Sequence, residues 1–106
     1  MPSFLLSTAL TVLLSGAAFA ADLKAGKAVY DKSCKSCHGA DGTPVPTIQK
    51  MLKVEMRDLK SQEVQSLSDA DLRKASIQGQ GKMKPVTGIT GADVDNLLAY
   101  VRSLRK

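Results

Sequence analysis

Cys34-Lys35-Ser36-Cys37-His38 constrains this chain more than any other stretch. It holds the only two cysteines and the only histidine in the sequence. Thiols at i and i+3 project to the same side of a helical turn, so both can reach one edge of a single planar molecule. This spacing, with histidine directly after it, is the pattern for covalent attachment of haem c. Each thiol adds across one vinyl group to form a thioether, and the next residue is carried under the iron as its proximal ligand. Because no other cysteine or histidine exists, no second pairing competes.

A chain of 106 residues makes one domain at most. Residues 1–20 are expected to be a signal peptide. Phe4 to Phe19 is mostly apolar, is too short for a membrane span and ends in Ala18-Phe19-Ala20, a small-x-small cleavage pattern. Cleavage is expected after Ala20, with Ala21 as the second choice. Met1 to Ala21 contains no Lys or Arg, which leaves an uncleaved, shortened anchor as the alternative. The remaining segment, 21–106, would be a single-haem domain.

A domain this small usually needs reinforcement. Outside the apolar leader there is no Trp or Phe, and only Tyr30 and Tyr100 are aromatic. A core so lean is better explained if a large flat cofactor fills the middle. All fifteen basic and ten acidic residues lie after position 21, so the domain keeps the net charge of +5. A basic surface suits acidic partners or anionic membranes, and it also serves solubility alone. Nucleic acid is a poor fit, because the basic residues are dispersed and almost no aromatics interleave them.

Strand signals are nearly absent, and helical ones recur. Three or four helices are therefore expected, an all-α domain packed around one covalent haem. The first runs from about Leu23 to Ser33, with Gly26 and Tyr30 on one face; a glycine there permits close approach of another helix. Gly39 to Thr47 reads as a loop, Ile48 to Val54 as a short helix, and Met56 to Gln65 has no clear pattern. Ser68 is an N-cap, with Asp71 at the N3 position and Leu67 and Leu72 placed as a hydrophobic staple. That helix should end near Ile77-Gln78, with Gly79 as the left-handed cap. The last helix has Thr90 as its cap, Asp93 three residues on, and an apolar stripe of Val94, Leu97, Leu98, Val101 and Leu104.

The sixth position on the iron decides reactivity. With no second histidine, methionine is the leading candidate, from Met51, Met56 and Met83. Met83 lies in Gly79-Gln80-Gly81-Lys82-Met83-Lys84-Pro85, where glycines let the backbone approach a ring face and Pro85 stiffens the exit. Met51 and Met56 sit in or beside an apolar segment, where methionine more often fills core.

These parts together resemble the class I c-type cytochromes of the small bacterial, single-haem kind. The likeness rests on Gly26 and Tyr30 before Cys34-x-x-Cys37-His38, on Leu67 to Leu72, on Gly79-x-Gly81-x-Met83, and on Leu97 with Tyr100. It implies a small cytochrome c fold whose first and last helices cross, with Cys34, Cys37, His38 and Met83 binding haem and His38 and Met83 on the iron. It also implies that a proline carbonyl accepts the hydrogen bond from the second nitrogen of His38; Pro46 is the first choice and Pro44 the second. Two departures stand out. Lys84 follows Met83 where relatives often have proline, and no Trp is present to bind a propionate, which leaves Arg57 and nearby backbone N–H groups as substitutes.

The resulting expectation is a monomeric, periplasmic electron carrier, not an enzyme. Its haem iron would cycle between Fe(III) and Fe(II), exchanging electrons with acidic redox proteins and in passing contact with membrane respiratory complexes. Lys35, Lys82 and Lys84 would rim the docking face. The rivals are a haem protein with an open or displaceable sixth site, peroxidase-like or gas-binding, and a haem-free CxxC redox or metal protein. The second lacks both a βαβ pattern and a full zinc ligand set.

Overall fold

The computed structural model describes residues 21–105; the expected leader, 1–20, lies outside them. Six helical segments follow one another among the described residues: α1 (Leu23–Ser33), α2 (Lys35–His38), α3 (Pro46–Leu52), α4 (Gln62–Gln65), α5 (Asp69–Gln78) and α6 (Gly91–Ser103). Four of them run for 7–13 residues, while α2 and α4 are single turns of four. The expected three or four helices are thus present, with two extra turns. No strand forms among the described residues beyond an isolated bridge between Gln80 and Met83.

The caps explain most boundaries. Asp22 accepts from the Ala25 amide and starts α1. Thr90 and Asp93 form a complete capping box at α6: the Thr90 hydroxyl accepts from Asp93 N at 3.1 Å, and the Asp93 carboxylate accepts from Thr90 N at 2.8 Å. Ser68 makes only its own half of that arrangement, accepting from Asp71 N at 3.1 Å. Gly79 ends α5 with φ 76°.

Residues 46–54 differ from expectation. The helix begins at Pro46, where the missing N–H costs nothing in a first turn, and it stops at Leu52. Lys53 closes it in the left-handed region with φ 54°, and Val54 N then donates back to Gln49 O at 3.1 Å. Met51, read from sequence as core filler, is 69% exposed on this helix.

Helices α1 and α6 form the backbone of the domain. A Cβ on Gly26 would fall on the carbonyl oxygen of Asn96, well inside contact distance, with Tyr100 Cβ at 3.1 Å. Only glycine allows the two helices to meet this closely. Tyr30 and Leu97 are the most deeply buried large side chains there, and the Tyr30 and Tyr100 rings sit 5.1 Å apart, tilted by 57°. On another face of α6, Val94 and Leu98 pack with Leu72 and Val64, and Leu59, Leu67 and Ile89 lean on that cluster. Leu67 and Leu72 are the expected staple.

Arg102 joins these parts. Its guanidinium donates to Gln65 O at 2.8 Å and Leu67 O at 2.6 Å, and it pairs with Asp69 at 2.8 Å. Gln65 in turn donates to Leu59 O and Val101 O. The poorly patterned stretch before α5 is therefore held by side chains reaching backbone carbonyls. Six apolar side chains are buried among the described residues, a small core for a domain of this size.

Candidate functional site

The attachment segment is a tight helical turn at the end of α1. Cys34 N donates to Tyr30 O at 2.8 Å, so the segment continues the α1 ladder with only a local kink. Cys37 N and His38 N both donate to Cys34 O, at 3.2 Å and 2.9 Å. Cys34, Cys37 and His38 are thereby fixed on one turn, and the two thiols are not joined to each other. The chain then leaves through Gly39, and Val45 N donates back to Cys37 O at 3.0 Å, folding the next loop against the turn.

The chemistry of the three side chains suits a bound porphyrin. Burial lowers the pKa of His38, so its ring is held neutral, the form that binds a metal. Its Nδ1 is buried with no hydrogen-bond partner among the described residues. A buried polar nitrogen without a partner is uncommon, and an imidazole aimed at a metal is one way it arises. Burial, and then the adjacent Cys37, push the Cys34 thiol up to about 11. Redox-active CxxC motifs lower that value instead, so this pair is poorly suited to thiol–disulfide exchange.

The bond expected from His38 to a proline carbonyl is not formed here. Pro46 is exposed at the first position of α3, and Pro44 is half-buried in the preceding loop. Arg57, considered for a propionate, pairs with Glu63 at 3.1 Å.

Met83 lies on a separate loop. Gln80 and Met83 exchange both backbone hydrogen bonds, at 3.0 and 2.9 Å, which makes 80–83 a closed turn. Gly79 is needed at its root: a Cβ there would meet Met83 O at 2.5 Å and Pro85 Cδ at 3.0 Å. Val86 N donates to Ser76 O at 2.8 Å and returns the loop to α5. Lys82 Nζ reaches across to Leu52 O, so the loop is tied to the end of α3. Between them lies a cleft of about 560 Å³, lined by Leu52 and residues 78–85, Met83 included. Cys34, Cys37 and His38 are not among its lining residues. The structure thus unites three of the expected ligands on one turn and places Met83 in the lining of a separate cleft.

Tyr30 was not read from sequence as part of the site. Its ring is fully buried, and its hydroxyl donates to Gly39 O at 2.6 Å, with His38 O at 3.4 Å. Burial, followed by the nearby Cys34, raises its pKa well above the usual phenol range, so it remains a donor. The sequence signal was available: a buried tyrosine needs a partner for its hydroxyl, and this one stands one turn before Cys34.

An all-helical domain of this size, with two thiols and a neutral imidazole on one turn, is a small covalent haem protein. The model of the cytochrome c family matches residues 23–105. Cytochrome c-554(547) of Halothiobacillus neapolitanus is 34% identical over 91 residues, covering 81% of this chain and 100% of that protein. Cytochrome c-555 of Chlorobaculum tepidum is 33% identical over 94 residues, covering 85% of this chain and 83% of the relative. Cytochrome c6 of a Synechococcus strain is also 33% identical over 94 residues, with 87% and 79% covered. Among solved structures, the c-type cytochrome KustC0563 superposes with a TM-score of 0.65 at 27% identity, covering 76% of this chain and 98% of its own. This chain belongs to the cytochrome c family and is an electron-transfer protein with covalently bound haem c.

Proposed function

We propose that the chain is a monomeric, periplasmic electron carrier in which Cys34 and Cys37 bear the haem thioethers and His38 and Met83 hold the iron. The observation that carries the reading is the single turn bearing both thiols and the buried, neutral His38 ring. When bound, the haem supplies a centre that gains and loses one electron. The protein supplies everything else. His38 offers a neutral nitrogen, whose second ring nitrogen would be oriented by the Pro46 carbonyl, with Pro44 as the alternative. Met83 offers a soft thioether, which favours the reduced iron relative to a more basic ligand. Apolar surroundings disfavour the more positively charged oxidised state in the same direction. Little structure has to move if both ligands stay bound.

Residues 1–20 would direct export and be removed, which leaves residues 21–106 as the working domain. Among the described residues no helix is long and apolar enough to cross a membrane. Lys35, Lys82 and Lys84 are exposed around the attachment turn and the Met83 loop. A rim of this charge would steer acidic redox partners, including those at membrane complexes. The salt dependence of electron transfer with an acidic partner checks this: the rate should fall as salt rises, and a flat profile would remove the steering.

Potentiometry tests the ligand set. A positive midpoint is expected for His38 with Met83. A strongly negative midpoint would contradict it and favour an open or differently ligated iron.

A further inference from the structure

Tyr30 bounds the attachment segment at both ends. Its backbone carbonyl accepts from Cys34 N at 2.8 Å, and its side-chain hydroxyl donates to Gly39 O at 2.6 Å. The five residues that would carry the haem are therefore strung between the two ends of one buried residue. The ring itself is immobilised, with 0% exposure and Tyr100 packed 5.1 Å away. His38, by contrast, has no hydrogen bond to its Nδ1 among the described residues.

We infer that Tyr30 is a positioning residue for His38, and that its hydroxyl sets the redox balance of the iron by holding the Gly39 carbonyl. The inference rests on the reading that His38 is the iron ligand. The direction follows from charge. A hydroxyl donating to a carbonyl offsets part of the negative potential at that oxygen. Removing it leaves the oxygen more negative beside the ligand's backbone, which favours the more positively charged ferric state. It also frees the peptide just after Gly39, where the chain leaves the His38 turn.

The test is a redox titration and ferric EPR of haem-loaded Tyr30→Phe, with Tyr100→Phe as control. Tyr100 belongs to the same aromatic pair but makes no bond to the attachment segment. For Tyr30→Phe, the oxidised-to-reduced ratio at the wild-type midpoint should rise about two- to threefold, part of what one net hydrogen bond can contribute. Its EPR g-values should shift, while Tyr100→Phe should match the wild type. Unchanged titration and EPR in Tyr30→Phe, or equal shifts in both variants, would overturn the inference.

Should Tyr30→Phe fail to take up haem, 3-fluorotyrosine incorporated in a Tyr100→Phe background places one label at position 30. The more acidic hydroxyl strengthens the bond, so the ratio should move the opposite way, and no movement would again overturn the inference. His38→Ala separates the underlying reading: if that variant keeps the wild-type low-spin spectrum, His38 is not the ligand, whatever Tyr30 does.

Discussion

The two sides of this small domain are built by different means. On one side α1 and α6 meet backbone to backbone at Gly26, with Tyr30 and Leu97 filling the contact, and Arg102 ties α6 to the 65–69 segment. On the other, α3 and the 79–85 loop meet across an open cleft, joined by Lys82 to Leu52 O, while Met51 and Ile77 stand exposed. The first side is finished by protein atoms alone. The second presents apolar groups and a methionine with little protein packed against them. This division assigns global stability chiefly to the helix crossing and leaves the loop free to change with little global cost.

The largest effect should come from the crossing. Gly26→Val must push α6 off α1, since even one carbon collides with the Asn96 carbonyl. A loss of about 3 kcal/mol or more is expected by urea titration, and little holoprotein should accumulate. A near-wild-type midpoint would show that the helices are not in firm contact.

Arg102→Met comes next. It keeps much of the side-chain length but leaves the Gln65 and Leu67 carbonyls without their donor. About 2 kcal/mol of global stability should be lost, because two partly buried acceptors must find water. Hydrogen exchange should quicken around residues 59–69 first. Uniform exchange across the domain would argue against a local clamp.

Gly79→Ala should cost less globally and act on the other side. Its φ of 76° and the nearby Met83 carbonyl both resist a Cβ. A penalty of about 1–2 kcal/mol is expected, confined to the loop. Hydrogen exchange at Met83 and Val86 should rise while the α1–α6 contact stays protected. If both sides loosened together, the division into two regions would fail.

The smallest effect concerns pH. Backbone N–H groups of Thr43 and Lys60 hold the Asp41 and Asp58 carboxyls below their ordinary value of 3.8, with the Lys60 ammonium contributing. Because the folded values are depressed, this stability is complete above about pH 4 and is lost as the pH falls through the lower folded values. Asp41→Asn with Asp58→Asn should flatten the acid limb of the stability profile and leave the neutral region nearly unchanged. An unaltered acid limb would show that these carboxylates carry no linkage.

Legibility followed the same division. The α6 stripe and its Thr90–Asp93 box were written in residue spacing, and so was the pairing of Gly26 with a crossing helix. These depend on local periodicity and on sterics that only glycine satisfies. The start and end of α3 were harder. Pro46 reads equally as loop punctuation or as a first helical residue, and the left-handed turn falls on Lys53, a residue with no preference for it. Arg102 cannot be read from local spacing, because its partners include carbonyls more than thirty residues away. Met51 was expected in the core since an apolar neighbourhood in sequence does not say which face of a short helix is covered.

The attachment turn was legible because its chemistry is local: both thiols and the imidazole come from five consecutive residues. The Tyr30 clamp was not, since its hydroxyl partner depends on where Gly39 turns. The proposed pairing of His38 with Met83 would bring together the α2 turn and a loop more than forty residues later, and neither spacing nor composition reports whether they meet.

The most direct test of the account is the ferric absorption spectrum in the region of the methionine-to-iron charge-transfer band. The band should be present in the wild type, survive in Met51→Ala and Met56→Ala, and vanish in Met83→Ala. Its absence from the wild type, or its persistence in Met83→Ala, would contradict the claim that His38 and Met83 together close the iron.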